Sequence, residues 1–257
     1  MHFKGVFNVE LCSDKSFKMK SYGYQVENEI FWAGINGGWE KESFKHWINL
    51  CQTSGVIIDI GANTGIYALM AKAINKNSKV YAFEPVERVF TKLEENVQLN
   101  NFDIHNYEIA VSDNNGEAII YDDMSEHVYS VTVNKNLLSP QTAYKEIKIK
   151  TKRLDSFIEE NNITRIDLMK IDVETHEPEV LAGMGKYLKE FRPDMLIEIL
   201  NEEIAGKVEK LVKDLDYLYF NIDEKNGLTT KTEKIEKSSY FNYLLCKKET
   251  ASRLNLV

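Results

Sequence analysis

The chain has no apolar run long enough to span a membrane. Its start, Met1-His2-Phe3-Lys4-Gly5, lacks the long apolar stretch of a secretory leader, so a cytoplasmic protein is expected. Cysteine is scarce. Cys12, Cys51 and Cys246 lie far apart and form no C-x-x-C pair. That fits reduced, buried thiols better than a disulfide framework or a zinc site. Positive charge is in deficit, with 32 Lys and Arg against 40 Asp and Glu and a net charge of -8. A general phosphate-backbone binder needs a clustered positive field, so no nucleic-acid partner is expected. The G-x-G-x-x-G step of dinucleotide binders is missing, which disfavours a nicotinamide dehydrogenase. Internal repeats and low-complexity tracts are missing too.

What is present suits one sizeable α/β domain: 257 residues, 43% of them hydrophobic. Residues 1–50 form an aromatic-rich N-terminal extension. It has a candidate hairpin at 3–10 and 16–24 and a candidate helix at 40–50. Trp32 and Trp39 flank a Gly-rich step there, which makes the extension a candidate cover for an acceptor site. Residues 51–257 form the main domain, where strands and helices alternate as in a mainly parallel sheet. Strand candidates are 56–60, 79–84, 105–111, 166–172, 194–199, 216–222 and 240–247. Helix candidates are 65–75, 86–100, 154–162, 177–191 and 201–214. The last two strands, read as joined by a short loop around Lys225-Asn226-Gly227, pair antiparallel. The Lys-rich segment 231–237 reads as a solvated connection. Residues 117–150 read as a β-rich insertion, with Glu126-His127-Val128-Tyr129-Ser130 offering hydrogen-bonding groups.

The most informative segment is Val56-Ile57-Ile58-Asp59-Ile60-Gly61-Ala62-Asn63-Thr64-Gly65. A short apolar run meets an acid and opens into a Gly-containing turn and a helix, the usual place for a nucleotide-like cofactor. Gly61 permits a tight turn and close approach of backbone to ligand. Gly65 lets the helix start pack closely. Asn63 is placed to meet a carboxylate at the helix N-terminus. Tyr67 reads as packing. Glu84 ends the next strand and suits ribose hydroxyls, and Pro85 suits the flank of an adenine ring. Two acids at two neighbouring strand tips are the arrangement expected for S-adenosylmethionine (SAM), and hence for a methyltransferase. The Asn-Pro-Pro-aromatic and Asp-Pro-Pro-aromatic steps of nucleic-acid N-methylation do not occur, nor does the Pro-Cys step common in cytosine C5 chemistry.

Val56–Gly65, Phe83-Glu84-Pro85, Glu95-Asn96-Val97-Gln98-Leu99-Asn100, Ile109-Ala110-Val111-Ser112 and Lys170-Ile171-Asp172-Val173-Glu174-Thr175-His176-Glu177 together resemble the FkbM family of SAM-dependent methyltransferases. The resemblance covers roughly residues 40–200. The family usually has Asp-x-Glu-Gly-x-Glu in the last motif, and this chain has Thr175 where Gly is usual. The resemblance implies a Rossmann-like class I methyltransferase fold, with a seven-stranded, mainly parallel sheet, one antiparallel strand and helices on both faces. It also implies O-methylation of hydroxyls on sugars or polyketide natural products, and places Val111 against the adenine.

The chemical site is expected at the tips of the fourth and fifth core strands. Asp172, Glu174, His176 and Glu198 are the candidate catalytic residues. A free alcohol is a poor nucleophile near neutral pH, so either a base takes its proton or a divalent ion lowers its pKa. Both readings stay open. Asp172, Glu174 and Glu198 offer oxygen ligands for Mg²⁺ or another divalent cation. His176 is the alternative base. Glu177 suits the helix N-terminus, Lys170 suits pairing with an acid, and Asn96 reads as a cofactor contact, a cap or a solvated group. The expected partner is a carbohydrate or small-molecule acceptor.

Overall fold

A computed structural model describes residues 2–12, 14–123, 131–132 and 144–257. The chain opens with a hairpin of β1 (Gly5–Cys12) and β2 (Lys15–Ser21), followed by α1 (Gln25–Ala33) and α2 (Lys41–Cys51). There follow β3 (Val56–Ile60), α3 (Ile66–Ile74), β4 (Lys79–Phe83), α4 (Glu87–Asn100) and β5 (Ile104–Tyr107). A small second sheet comes next: β6 (Ala110–Ser112), β7 (Gly116–Asp123), β8 (Val131–Thr132) and β9 (Tyr144–Arg153). The main fold resumes with α5 (Leu154–Glu160), β10 (Leu168–Ile171), α6 (Glu177–Gly183), α7 (Tyr187–Phe191), β11 (Asp194–Glu198) and α8 (Glu202–Val212). It closes with β12 (Leu218–Asp223), β13 (Leu228–Thr232), β14 (Asn242–Cys246) and α9 (Lys248–Arg253).

The central sheet runs β13-β12-β14-β11-β10-β3-β4-β5. Strands β5, β4, β3, β10 and β11 are mutually parallel, and β14 runs antiparallel to both β11 and β12. The seven expected strands and their one antiparallel member are therefore present, and β13 adds an eighth at the edge. Alternation along the strands splits the apolar side chains between two faces. Ile57, Val80, Leu168 and Leu244 face the core beneath α2 and α3. Ile58, Tyr81, Met169 and Leu245 face the core beneath α5, α6 and α8.

Several expectations need correction. The single strand read over 105–111 is two: β5 joins the central sheet, whereas β6 pairs with β9 in the small sheet. The helix read over 177–191 breaks after Gly183, because Gly185 turns the chain at φ +53. The Lys225–Gly227 loop joins β12 to β13, not to β14. Asp223 accepts the Lys225 and Asn226 amides to shape that turn, and β13 takes up the start of the Lys-rich segment read as a connection. Residues Glu126 to Ser130 lie outside the described residues. Among the described residues no helix is long and apolar enough to cross a membrane.

Candidate active site

A cavity of about 320 Å³ opens at the carboxyl ends of β3, β4, β10 and β11, where open α/β sheets bind ligands. Its wall includes Gly61, Asn63, Glu84, Pro85 and Val111 together with Asp172, Glu174, His176 and Glu198. The small sheet contributes Ile120 and Ile149, and the N-terminal segment contributes Trp39 and Glu40. Trp32 is 64% exposed and is not on this wall.

One contact brings the two halves together. Gly61 sits at φ +79, and a Cβ there would lie 1.8 Å from the Asp172 carbonyl oxygen. Only glycine lets the turn after β3 touch the turn after β10. The Gly61 and Ala62 amides both donate to the Phe83 carbonyl, at 3.0 and 2.9 Å, which ties the same turn to β4. Asn63 adopts φ +51, and its amide donates to Glu84 Oε2 at 3.1 Å. Glu84 Oε1 accepts the Val86 amide at 3.0 Å. The Glu84 carboxylate is thus fixed at the mouth of β4.

Two residues expected to bind the cofactor, Asp59 and Gly65, do not line the cavity. Gly65 is at φ +95, and a Cβ there would meet Leu93 Cδ1 at 2.5 Å, so it packs the start of α3 against α4. Asp59 is 1% exposed, and its Oδ2 accepts the Ala68 amide at 2.9 Å from beneath α3. Burial pushes its carboxyl up to about 7, against the pull of the Lys170 charge and that amide. Asn96 is fully buried: it donates to the Thr64 carbonyl and accepts the Lys20 amide, bracing the turn against the N-terminal hairpin.

On the chemical side, Lys170 is 1% exposed and donates to Asp172 Oδ2 at 2.9 Å. Burial works against its charge, but the neighbouring acids, Asp172 foremost, outweigh it and raise its pKa. Burial, then the Asp172 charge, pushes Glu198 up to about 10 and Glu174 to about 7. Glu198 Oε2 is buried without a hydrogen-bond partner among the described residues. The His176 pKa is lowered by burial, and its Nε2 lies 3.0 Å from Ser112 Oγ. Glu177 is fully buried and turned into its own loop, where its Oε1 accepts the Val173 amide at 3.2 Å. Its burial raises its pKa to about 8. The turn ahead of it carries Glu174 at φ +53 and Thr175 at φ +80.

The expected metal set of Asp172, Glu174 and Glu198 does not form. Among the described residues no three His, Cys, Asp or Glu side chains are grouped to hold a metal. Asp172 is paired instead with the Lys170 ammonium.

Sequence reasoning missed Glu40 and the Tyr67 hydroxyl. Tyr67 donates to Glu40 Oε2 at 2.5 Å, and Asn242 Nδ2 donates to Glu40 Oε1 at 2.7 Å. No motif marks Glu40, whose partners come from α3 and β14. The apolar run of β10 flags Lys170, since all four of its residues are buried and a lysine amid Leu168, Met169 and Ile171 must find a countercharge.

The family model of the Methyltransferase FkbM domain matches residues 59–219. The 2-O-methyltransferase NoeI of Sinorhizobium fredii is 30% identical over 148 residues, which cover 53% of this chain and 60% of NoeI. The hexuronic acid methyltransferase AglP of Haloferax volcanii is 24% identical over 192 residues, covering 70% of this chain and 75% of AglP. The chain spans less than two thirds of the length of several curated relatives that it matches. A SAM-dependent methyltransferase from Agrobacterium tumefaciens, of known structure, is alike in fold with a TM-score of 0.51 and 11% identity. That match covers 96% of this chain and 71% of the other. The chain belongs to the FkbM methyltransferase family.

Proposed function

We propose that the protein methylates a hydroxyl of a sugar, glycan or glycosylated natural product, with SAM as donor. The observation that carries this reading is the cavity shared by the Glu84 side and the Asp172 side, joined through the Gly61 contact. The names of NoeI and AglP support oxygen and a sugar acid, respectively, as what those relatives methylate.

The residues present fit the donor. Glu84 would take the ribose hydroxyls, with its two oxygens braced by the Asn63 and Val86 amides. Pro85, Val111 and Ile149 supply apolar wall for the adenine. Asn63 and the start of α3 would meet the donor's carboxylate. SAM, when bound, supplies a methyl group on a sulfonium, open to in-line attack.

This chain's residues must also place the acceptor. The hydroxyl must be held in line, roughly 3 Å from the methyl carbon, and its proton must be taken as the bond forms. Asp172 is our candidate for that proton. Among the described residues it is the one member of the acid cluster hydrogen-bonded to a buried ammonium. Glu198, held protonated by its burial, can donate to a sugar oxygen, and Glu174 and His176 line the same cavity. Trp39 and Glu40 on the wall support the N-terminal segment as the acceptor-site cover. Cys51 and Cys246 are buried free thiols, as expected, whereas Cys12 is a free thiol on the surface; unpaired thiols support a cytoplasmic location.

The test is methyl transfer from labelled SAM to a panel of nucleotide sugars, glycosides and glycolipid-type oligosaccharides, with the product mapped by NMR. An O-methyl group on a sugar ring is expected. Label on a nitrogen or carbon, or only on acceptors without a sugar, overturns the reading.

A further inference from the structure

We propose that Glu40 is a positioning residue for methyl transfer. Through Tyr67 it fixes the Lys170 ammonium that holds Asp172. The inference rests on the reading of Asp172 as the proton acceptor.

Glu40 immediately precedes α2, yet its side chain does not cap that helix. It adopts φ +49, a left-handed conformation that a non-glycine residue enters only when its surroundings force it. That conformation delivers a carboxylate into the cavity wall, on a residue only 8% exposed. Both its oxygens accept hydrogen bonds, from the Tyr67 hydroxyl at 2.5 Å and from Asn242 Nδ2 at 2.7 Å. Asn242 stands opposite Glu198 in the β11–β14 register, so the chemical site is gripped from a second strand.

Tyr67 carries the connection onward. Its ring centroid lies 5.0 Å from Lys170 Nζ, within cation–π range. The ring is held by edge contact with Trp47, and the Trp47 indole donates to the Tyr67 carbonyl. A buried ammonium with a hydrogen bond to Asp172 Oδ2 then faces an aromatic ring and, beyond it, a carboxylate. The Asn242–Glu40–Tyr67–Lys170–Asp172 chain leaves Lys170 little freedom. Asp172 Oδ2 is held, and Oδ1 is left for the acceptor's hydroxyl. The Glu40 carboxylate does not cap its own helix; it joins Tyr67 of α3 to Asn242 of β14 at the cavity wall. Its role is to transmit the docking of the N-terminal segment to the base.

The test uses the full ¹⁵N-labelled chain as wild type, Glu40→Gln, Tyr67→Phe and the double variant. The Lys170 ammonium signal is identified by its loss in Lys170→Met. In each single variant its protons should exchange with water roughly tenfold faster than the change in the urea midpoint alone accounts for. In the double variant the exchange should be no faster than in the faster single variant, because both residues act along one path. Unchanged exchange in the single variants overturns the proposal, as does a multiplied effect in the double. Should Glu40→Gln fail to fold, Tyr67→Phe decides alone. SAM titration of the same wild-type sample separates the two claims. A wild type that does not bind SAM refutes the functional reading, whereas the Lys170 signal reports on the positioning chain in either case.

Discussion

The Lys170 ammonium donates to Asp172 Oδ2 across 2.9 Å from a side chain that is 1% exposed. Removing one partner of such a pair strands the other charge, typically at a cost of about 3–5 kcal/mol. Asp172 retains some contact with water, which places Lys170→Met near the lower end, about 3 kcal/mol. Urea unfolding should show this loss together with a loss of methyl transfer. A variant as stable as wild type would mean that the pair is not closed in solution.

Thr175 stands at φ +80, where the family usually has glycine. A β-branched residue there carries strain of roughly 1–2 kcal/mol. Glycine gives back part of that gain through greater freedom in the unfolded chain. Thr175→Gly should therefore stabilise by about 1 kcal/mol net, read as a higher melting temperature. A lower one would show that the Thr175 methyl or hydroxyl makes a compensating contact.

Gly61→Ala should be far worse than an ordinary surface change. Its Cβ would lie 1.8 Å from a backbone oxygen, which cannot swing aside as a side chain could. The turns after β3 and β10 would have to separate. A loss on the order of 4 kcal/mol or failure to fold is expected, measured by circular dichroism melting. Near-wild-type stability would place these two turns apart.

Glu177 sets a pH dependence whose sign can be worked out. Its burial raises its folded pKa to about 8 from an ordinary value of 4.5. A raised carboxyl pKa favours folding while the group stays protonated. That contribution is complete below the unfolded pKa and is lost as pH rises toward 8. Glu177→Gln is neutral throughout and keeps an oxygen for the Val173 amide. Its melting temperature relative to wild type should therefore climb between pH 5 and pH 8. A constant difference across that range would show that Glu177 does not titrate there.

Much of this was legible because local signals and the fold agree. The Val56–Ile60 strand, the Gly61 turn and the α3 helix follow from a buried apolar run, a glycine and a periodic face. Asp172, Glu174, His176 and Glu198 were recognisable as strand-tip groups, and they share one wall. Asp59 was harder, because a strand acid can turn toward the ligand or beneath the helix with the same sequence. Here the Ala68 amide claims it. The β5/β6 division was hidden because residues 105–111 look like one strand until β9 arrives to pair with β6. Glu40 left no trace in sequence, since its partners Tyr67 and Asn242 are 27 and 202 residues away.

The central claim is that the cavity between Glu84 and Asp172 is a SAM site. Calorimetric titration of SAM into wild type and Glu84→Ala, with NADH as a control ligand, tests it most directly. SAM should bind the wild type, and NADH should not. Glu84→Ala should weaken SAM binding by at least roughly tenfold, the loss of about 1.4 kcal/mol expected for a charge-assisted hydrogen bond. Equal affinity in the two proteins, or binding of NADH in place of SAM, would contradict it.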